Sequence, residues 1–145
     1  MKPRATRGSV LRLTAATAVA TLALVFGTAT AASASSPGDP QATGCANGAS
    51  TIWQHTWLGY GTVEVRYSPS CGTNWVRVSG ATGRPSEAGI YSGASGWVYS
   101  PSYFSSPSQY WTWMVSAPGT ACITFYAKLV DGSGSLLNTG NIVLC

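Results

Sequence analysis

Few side chains in this sequence could take part in catalysis. His55 is the only histidine, so it would have to be the base of any serine–histidine–acid triad. No G-x-S-x-G nucleophile motif accompanies it, and there is no phosphate-binding glycine-rich loop. Glycoside hydrolysis needs two facing carboxylates, which would have to come from Asp39, Glu64, Glu87 and Asp131. We therefore expect neither an enzyme nor a bound cofactor.

Aromatic side chains are the more informative feature, because exposed rings can bind ligands. The six tryptophans and seven tyrosines all lie beyond residue 50. Exposed Trp and Tyr rings can stack on sugars or form a rigid, amphipathic surface for protein recognition. Trp97, Tyr99 and Tyr103 lie among Ser, Pro and Gly residues that give them little to pack against, so we predict them as binding residues. The alternative is that most rings fill the core.

The first 34 residues have the pattern of a cleavable secretory signal peptide. A basic segment, residues 1–12, precedes an apolar stretch, residues 13–26, that is shorter than the ~20 residues of a membrane-spanning helix. Ala32-Ser33-Ala34 fits a cleavage site before Ser35, with residues 29–31 as an alternative site. We expect residues 35–145 to form one secreted, extracellular domain that has no membrane attachment after cleavage.

Removal of this segment changes the net charge. The formal charge of +4 comes from eight basic and four acidic residues, and four of the basic residues lie within residues 1–12. Residues 35–145 are therefore balanced. Nucleic-acid binding requires a basic surface stripe, which this region lacks, so we expect no nucleic-acid partner. A surface with few charges suits a neutral polysaccharide.

The sequence has four cysteines, all of them beyond the predicted signal peptide: Cys45, Cys71, Cys122 and Cys145. An even number in an exported chain predicts two disulfide bonds, and three pairings are possible. A metal site is the alternative. It would lack any C-x-x-C pair and would have only one histidine, so we predict no metal.

Residues 62–79 are predicted to form a β-hairpin. Apolar residues alternate with charged ones in both halves, and residues 68–73 form a Pro- and Gly-containing turn between them. Only one register keeps the valines together on one face while it also pairs opposite charges on the other. Its facing pairs are Val63–Val78, Glu64–Arg77, Val65–Val76 and Arg66–Trp75. Arg66 and Trp75 are predicted to form a cation–π contact, and Glu64 and Arg77 an exposed ion pair. Each of these two contacts should contribute about 0.2–1 kcal/mol of stability.

The remaining segments predict further short strands. Residues 51–58 favour a strand, although Trp53 and Trp57 would also fit one face of a helix. Residues 79–96 are rich in Gly and Ser and favour a loop with at most one short edge strand. Residues 97–99 are a strand candidate, and residues 122–145 are predicted to form a C-terminal hairpin.

Residues 110–117, YWTWMVSA, form the most apolar segment and are predicted to be a central strand, with Trp111 and Trp113 in the core. Six to eight short strands without an amphipathic helix predict an all-β fold. The expected architecture is a small antiparallel β-sandwich, or a barrel, that two disulfide bonds stabilise.

Two stretches, DPQATGC at residues 39–45 and RYSPSCGTNWVRV at residues 66–78, share the pattern of a known family. They resemble the YjfA-like family of small secreted bacterial proteins, a domain of unknown function. The family supplies no reaction, ligand or catalytic residue. Some members have an additional Cys before the Asp-Pro, where this sequence has residues 35–38, SSPG, so any bridge made by that Cys is absent.

The resemblance also implies a disulfide pairing. Cys45 and Cys71 both lie in the similar segment, which favours a bridge between them and leaves Cys122 for Cys145. If the turn of the C-terminal hairpin is centred between residues 133 and 134, Cys122 falls opposite Cys145, in agreement with that pairing.

Three functions are consistent with these observations. The first is a non-catalytic extracellular or cell-envelope interaction module, whose partner is a cell-wall glycan or a secreted protein. The second is a carbohydrate-binding module that uses exposed Trp and Tyr. The third is a small secreted inhibitor of an extracellular hydrolase, presenting residues 68–73 as a bridged loop. A row of exposed aromatic rings would favour the second, and a protruding, extended loop would favour the third.

Overall fold

A computed structural model describes residues 38–145, so the predicted signal peptide lies outside the described residues. In this part of the chain all regular secondary structure is β, with ten strands and no helix. The strands are β1 Ser50–Trp57, β2 Gly61–Ser68, β3 Thr73–Ser79, β4 Ser86–Ser92, β5 Gly96–Tyr99, β6 Gln109–Trp111, β7 Val115–Ser116, β8 Ile123–Val130, β9 Leu136–Asn138 and β10 Ile142–Leu144. The all-β prediction is confirmed.

The strands form two antiparallel sheets of five strands each. Sheet I has the order β1-β2-β3-β6, with β7 also paired to β3. Sheet II has the order β10-β8-β4-β5, with β9 also paired to β8. The inner faces pack together around a fully buried apolar core, because apolar residues alternate along the strands of both sheets. This core includes Val63, Val65, Val76 and Val78 from sheet I and Ile90, Phe125, Ala127 and Leu129 from sheet II.

The predicted register of the central hairpin is confirmed. β2 and β3 pair so that Val65 faces Val76 and Glu64 faces Arg77. All four valines of the hairpin are fully buried, as expected if the valine-bearing face is turned towards the other sheet. Local alternation was sufficient here, since a slip of one residue would expose the valines and bury the charges.

The predicted exposure of the Glu64–Arg77 pair is wrong. Glu64 points away from sheet II, yet only 8% of its surface is exposed. Its carboxylate accepts two hydrogen bonds of 2.7 Å from the Arg77 guanidinium and a third from the Thr51 hydroxyl. A second guanidinium, that of Arg66, lies 3.8 Å from the same carboxylate. Glu64 therefore neutralises two arginines at a site with little access to water.

Part of this outer face is covered by residues 38–49, which form a series of turns across sheet I. Cys45 and Met114 bury Trp75 from outside, so a second, smaller apolar cluster forms there. The predicted cation–π contact between Arg66 and Trp75 is not formed among the described residues. Arg66 instead donates hydrogen bonds to the carbonyl oxygen of Ala49 and to the Thr51 hydroxyl, and so ties the covering segment to the sheet.

Residues 110–117 do not form one central strand. The backbone N–H of Thr112 donates to the carbonyl oxygen of Val76, and its hydroxyl accepts from the N–H of the same residue. The Thr112 hydroxyl accepts the hydrogen bond that a backbone carbonyl would accept in a regular strand. The pairing with β3 is therefore interrupted between β6 and β7, and the alternation of faces is lost. Trp111 is half-buried in the outer cluster, and Trp113 is 58% exposed. The prediction that Trp113 lies in the core is wrong.

The prediction of a loop over residues 79–96 is also wrong in its second half. β4 occupies residues 86–92 and is an inner strand of sheet II, paired with β8 on one side and β5 on the other. Its Ser, Ala and Gly residues have low intrinsic strand preference, so the two neighbouring strands determine its conformation. The predicted strand at residues 97–99 is confirmed as part of β5.

Both predicted disulfide bonds are confirmed, Cys45 with Cys71 and Cys122 with Cys145. The first is buried beside Trp75 and fixes the covering segment to the β2–β3 turn. The second joins the end of the chain to the start of β8, because β10 pairs with β8 in a register that continues to Cys122 opposite Cys145. Each closed loop is expected to add about 3 kcal/mol of stability in the chain-entropy model.

Candidate functional site

The residues that could take part in catalysis are dispersed, and the carboxylates have structural partners. His55 lies at the edge of sheet I between Trp53 and Trp57, with its ring 4.7 Å from that of Trp57, edge to face. Among residues 38–145 no group of three or more His, Cys, Asp or Glu could hold a metal ion. Each carboxylate accepts hydrogen bonds from a nearby group: Asp39 from the N–H of Gln41, Glu64 from Arg77, Glu87 from Lys128, and Asp131 from the N–H groups of Ser133 and Ser135.

The outer face of sheet II carries a cluster of aromatic rings, which we call the aromatic face: Tyr91, Trp97, Tyr99 and Tyr126. Trp97 is at its centre, with its ring 5.6 Å from Tyr91, 6.0 Å from Tyr99 and 5.9 Å from Tyr126. The Trp97 and Tyr99 rings are parallel to within 6°. Tyr91, Trp97 and Tyr99 are 37%, 38% and 55% exposed, so the three rings form a contiguous exposed aromatic patch.

Strand alternation produces this arrangement. In β8 the buried residues are at odd positions from Ile123 to Leu129, so Tyr126 and Lys128 point outward. In β5, Val98 packs on the core and leaves Trp97 and Tyr99 outside. Cross-strand pairing then sets Tyr91 opposite Trp97. Rings from three strands therefore meet on one surface.

Gly89 lies beneath two of these rings. It pairs with Tyr99 on β5 and with Tyr126 on β8, and both rings lean over its backbone. A Cβ atom at this position would lie 2.6 Å from Cε1 of Tyr126 and 2.9 Å from Cδ1 of Tyr99. The φ angle of Gly89 lies outside the left-handed region, so the backbone does not require glycine. What requires glycine is the position of the two tyrosine rings.

The aromatic face forms one wall of an open groove of about 470 Å³. The opposite wall is the β9–β10 connection, with Asn138, Gly140 and Asn141. This connection is anchored to β8, since Thr139 exchanges two hydrogen bonds of 3.1 and 3.0 Å with the backbone of Ala127. The volume is within the range of roughly 300–1,000 Å³ that is usual for ligand sites.

One ion pair lies at the end of the groove. Nζ of Lys128 donates a 2.8 Å hydrogen bond to Glu87 and lies 5.0 Å from the centre of the Tyr126 ring. This hydrogen bond lowers the pKa of Glu87 and raises the pKa of Lys128, so both groups are charged at neutral pH. Burial raises the pKa of Tyr126, which keeps its hydroxyl protonated. The charge that Lys128 brings to the groove is therefore balanced by Glu87.

Of the three predicted binding residues, the structure brings together Trp97 and Tyr99 but not Tyr103. Tyr103 is half-buried, its ring packs 4.8 Å from that of Tyr110, and its backbone pairs with Ser86. It borders a separate apolar hollow of about 210 Å³, on the far side of the Glu87–Lys128 pair, with Phe104 and Leu136.

Sequence reasoning missed Tyr91, Tyr126 and Gly89. The signal for Tyr126 was present, because its neighbours in β8 alternate regularly between apolar and polar side chains. Nothing in the local sequence indicates that β8 lies beside β4, so the meeting of Tyr126 with Trp97 was not predictable from alternation alone.

A chain of buried hydroxyl groups lies near Tyr103 and connects the two sheets. The Tyr110 hydroxyl donates to Ser86, Ser86 shares a hydrogen bond with Ser106, and Ser106 donates to the carbonyl oxygen of Arg84. Burial raises the pKa of Tyr110 from 10.0 to about 12. This network holds the 100–108 loop against the sandwich.

The raised pKa of Tyr110 predicts a loss of stability in alkali. Because the folded pKa of about 12 lies above the ordinary 10.0, the stabilisation is complete below pH 10 and is lost as pH rises through 12. We expect the free energy of unfolding to fall by about 2 kcal/mol over this interval. Denaturant titrations of wild type and Tyr110→Phe at pH 9 and above test this. The variant should be less stable at pH 9 but less sensitive to alkali, and parallel curves would contradict the prediction.

The loop that an inhibitor would present is not extended. Residues 68–73 form a tight turn, in which the Gly72 N–H donates a 2.9 Å hydrogen bond to the carbonyl oxygen of Ser68. Gly72 has φ = 63°, and a Cβ atom there would lie 3.1 Å from Pro118. The turn is therefore packed against the domain, which gives the inhibitor hypothesis no support.

Within residues 38–145 no helix is long and apolar enough to cross a membrane.

Comparison with known proteins gives one family and no characterised relative. No curated protein and no solved structure matches the sequence. One family model matches residues 33–117, more than half of the chain, from before β1 to the residue after β7, and so includes Tyr91, Trp97 and Tyr99 but not Tyr126. The chain accordingly belongs to the family described as "Protein of unknown function (DUF2690)".

Proposed function

We propose that the protein is a secreted, non-catalytic binding module that attaches to polysaccharide, such as a cell-wall glycan, through the aromatic face. The observation that carries the proposal is the group of exposed rings centred on Trp97, two of them parallel. Rings of this kind stack on the apolar C–H faces of sugars, whereas a surface that only had to remain soluble would not expose them.

Export is part of this proposal. The N-terminal sequence has the pattern of a signal peptide, and the two disulfide bonds are typical of proteins that fold in oxidising compartments. On the motifs at residues 39–45 and 66–78, we further propose that the chain groups with the YjfA-like proteins. A secreted protein is the alternative partner, because Trp and Tyr are also frequent at the centres of protein interfaces.

Retention of residues 35–145 on insoluble polysaccharides and isolated cell walls tests the function. Trp97→Ala combined with Tyr99→Ala should weaken retention at least tenfold, since each stacked ring contributes about 0.5–1.5 kcal/mol beyond its buried area. Thermal stability should change little, because both rings lie outside the core.

Trp113→Ala is the matched control, because Trp113 is an exposed tryptophan outside the aromatic face. The Trp113→Ala variant should be retained as strongly as the wild type. If wild type is retained on no polysaccharide or cell wall, the proposal fails and a protein partner becomes the better hypothesis. Equal loss of retention in the control and in the double variant would show that the aromatic face has no special role.

A further inference from the structure

The two walls of the groove differ in chemistry. One consists of the rings of Trp97, Tyr99 and Tyr126, and the other presents the amides of Asn138 and Asn141. A pyranose unit has the same division, with an apolar ring face and a rim of hydroxyl groups. A sugar stacked on the aromatic wall would therefore direct its hydroxyl groups towards the amide wall.

The amides are free to bind such a rim. Asn141 is exposed, and its side chain makes no hydrogen bond to any other residue among 38–145. The Asn138 carbonyl oxygen accepts from the Gly140 N–H at 2.8 Å, which fixes the side chain and leaves its NH₂ group without a partner in the described part of the chain. An amide both donates and accepts, so it suits hydroxyl groups, which do the same.

The amide wall is held in place before any ligand arrives. Thr139 anchors it to the backbone of Ala127, and the Cys122–Cys145 bond joins β10, which follows it, to the start of β8. Binding would therefore order little additional chain, which favours affinity.

The charges of the groove select against acidic ligands. Among residues 38–145, Lys128 is the one cation that borders the groove, and its charge is balanced by Glu87 at 2.8 Å. An acidic sugar that approached Lys128 would also meet Glu87, and like charges at such distances repel.

From these features we propose that the groove binds a single chain of uncharged sugar residues and that Glu87 excludes acidic chains. Each sugar ring would stack its face on the aromatic wall and direct its hydroxyl edge to the wall formed by Asn138 and Asn141. This inference rests on the proposed function and adds the ligand class and the role of the amide wall. The same features give no advantage to a uronic-acid polymer, whose carboxylates meet no unpaired cation of the described residues in the groove.

Four polysaccharides test the ligand class: cellulose and chitin as uncharged chains, polygalacturonate as an acidic chain and chitosan as a basic one. We expect retention on at least one uncharged chain, and about 0.5 M salt should not weaken it, because salt screens only interactions between charges. Asn141→Ala should weaken it about fivefold, the effect of one net hydrogen bond. Asn47→Ala, an exposed asparagine outside the groove, should not weaken it.

Glu87→Gln tests the exclusion of acidic chains. Without Glu87, the Lys128 charge is uncompensated, so the variant should gain salt-sensitive binding to polygalacturonate. The inference is overturned if wild type prefers polygalacturonate or chitosan to both uncharged chains, or if Asn141→Ala binds like wild type. In either case, loss of binding in the Trp97/Tyr99 double variant would still support the proposed function. Absence of binding to any polysaccharide would overturn both.

Discussion

Replacing Glu64 by glutamine is expected to lower the free energy of unfolding by about 3 kcal/mol, although Glu64 points away from the main core. The carboxylate is held by Arg77, with a closest N–O distance of 2.6 Å, and lies 3.8 Å from Arg66. The side chains of the pair are only 11% and 28% exposed. Glutamine keeps the size but not the charge. Two guanidinium groups would then share a site with little water and no counter-charge.

Glu87→Gln is the matched control, because it breaks the other close ion pair of the described chain, Glu87–Lys128, whose side chains are 33% and 39% exposed. Solvent screens such a pair, so its loss should cost far less than the loss of Glu64. Urea titrations of wild type and the two variants at neutral pH make the comparison. Equal effects of the two substitutions would mean that water reaches the Glu64 carboxylate in solution.

The Glu64 site also shows where sequence reasoning reached its limit. The pairing of Glu64 with Arg77 was predictable, since alternation and charge complementarity are properties of two strands joined by a short turn. Its burial was not, because the carboxylate is enclosed by Thr51 of β1 and by two guanidinium groups, and Arg66 is itself held by the carbonyl oxygen of Ala49 in the covering segment. Local patterns indicate which side of a strand a residue occupies, but not what covers that side.

The same distinction applies to β4 and to Trp113. β4 has too few large apolar residues to be predicted as a strand, and it is one because β5 and β8 supply hydrogen bonds on both of its sides. Alternation extended through Thr112 predicts Trp113 in the core, but the Thr112 side chain interrupts the strand. In both cases tertiary contacts overrode the local preference.

The candidate site was predictable to about the same extent. The Ser- and Gly-rich surroundings of Trp97 and Tyr99 indicate that both rings are exposed. Their spacing indicates that they lie together, because residues two apart on one strand share a face. Composition alone groups Tyr103 with them, but the contact of its ring with Tyr110 separates it. Tyr126 and Gly89 belong to strands whose adjacency to β5 is a property of the folded sheet.

Gly89 provides the sharpest test of the aromatic face, since a single methyl group should disable it. Gly89→Ala is expected to weaken retention on polysaccharide about thirtyfold, because the new Cβ atom would displace the rings of both Tyr99 and Tyr126. The free energy of unfolding should change by less than about 1 kcal/mol, since alanine restricts the unfolded chain and the displaced rings lie outside the core. Retention assays and denaturant titrations on the same preparations measure both quantities.

Gly93→Ala is the matched control for this substitution. Gly93 lies in the turn between β4 and β5 and has no left-handed φ angle, and no atom of residues 38–145 lies within 4 Å of an added Cβ. It should bind and unfold like wild type. If Gly89→Ala binds as tightly as Gly93→Ala, the positions of Tyr99 and Tyr126 do not matter for binding. If Gly89→Ala unfolds instead, the two rings stabilise the sheet, and the role of Gly89 is in stability rather than in binding. Loss of binding with an intact fold is the result that assigns Gly89 to the site, because its lack of a side chain leaves room for the rings of Tyr99 and Tyr126.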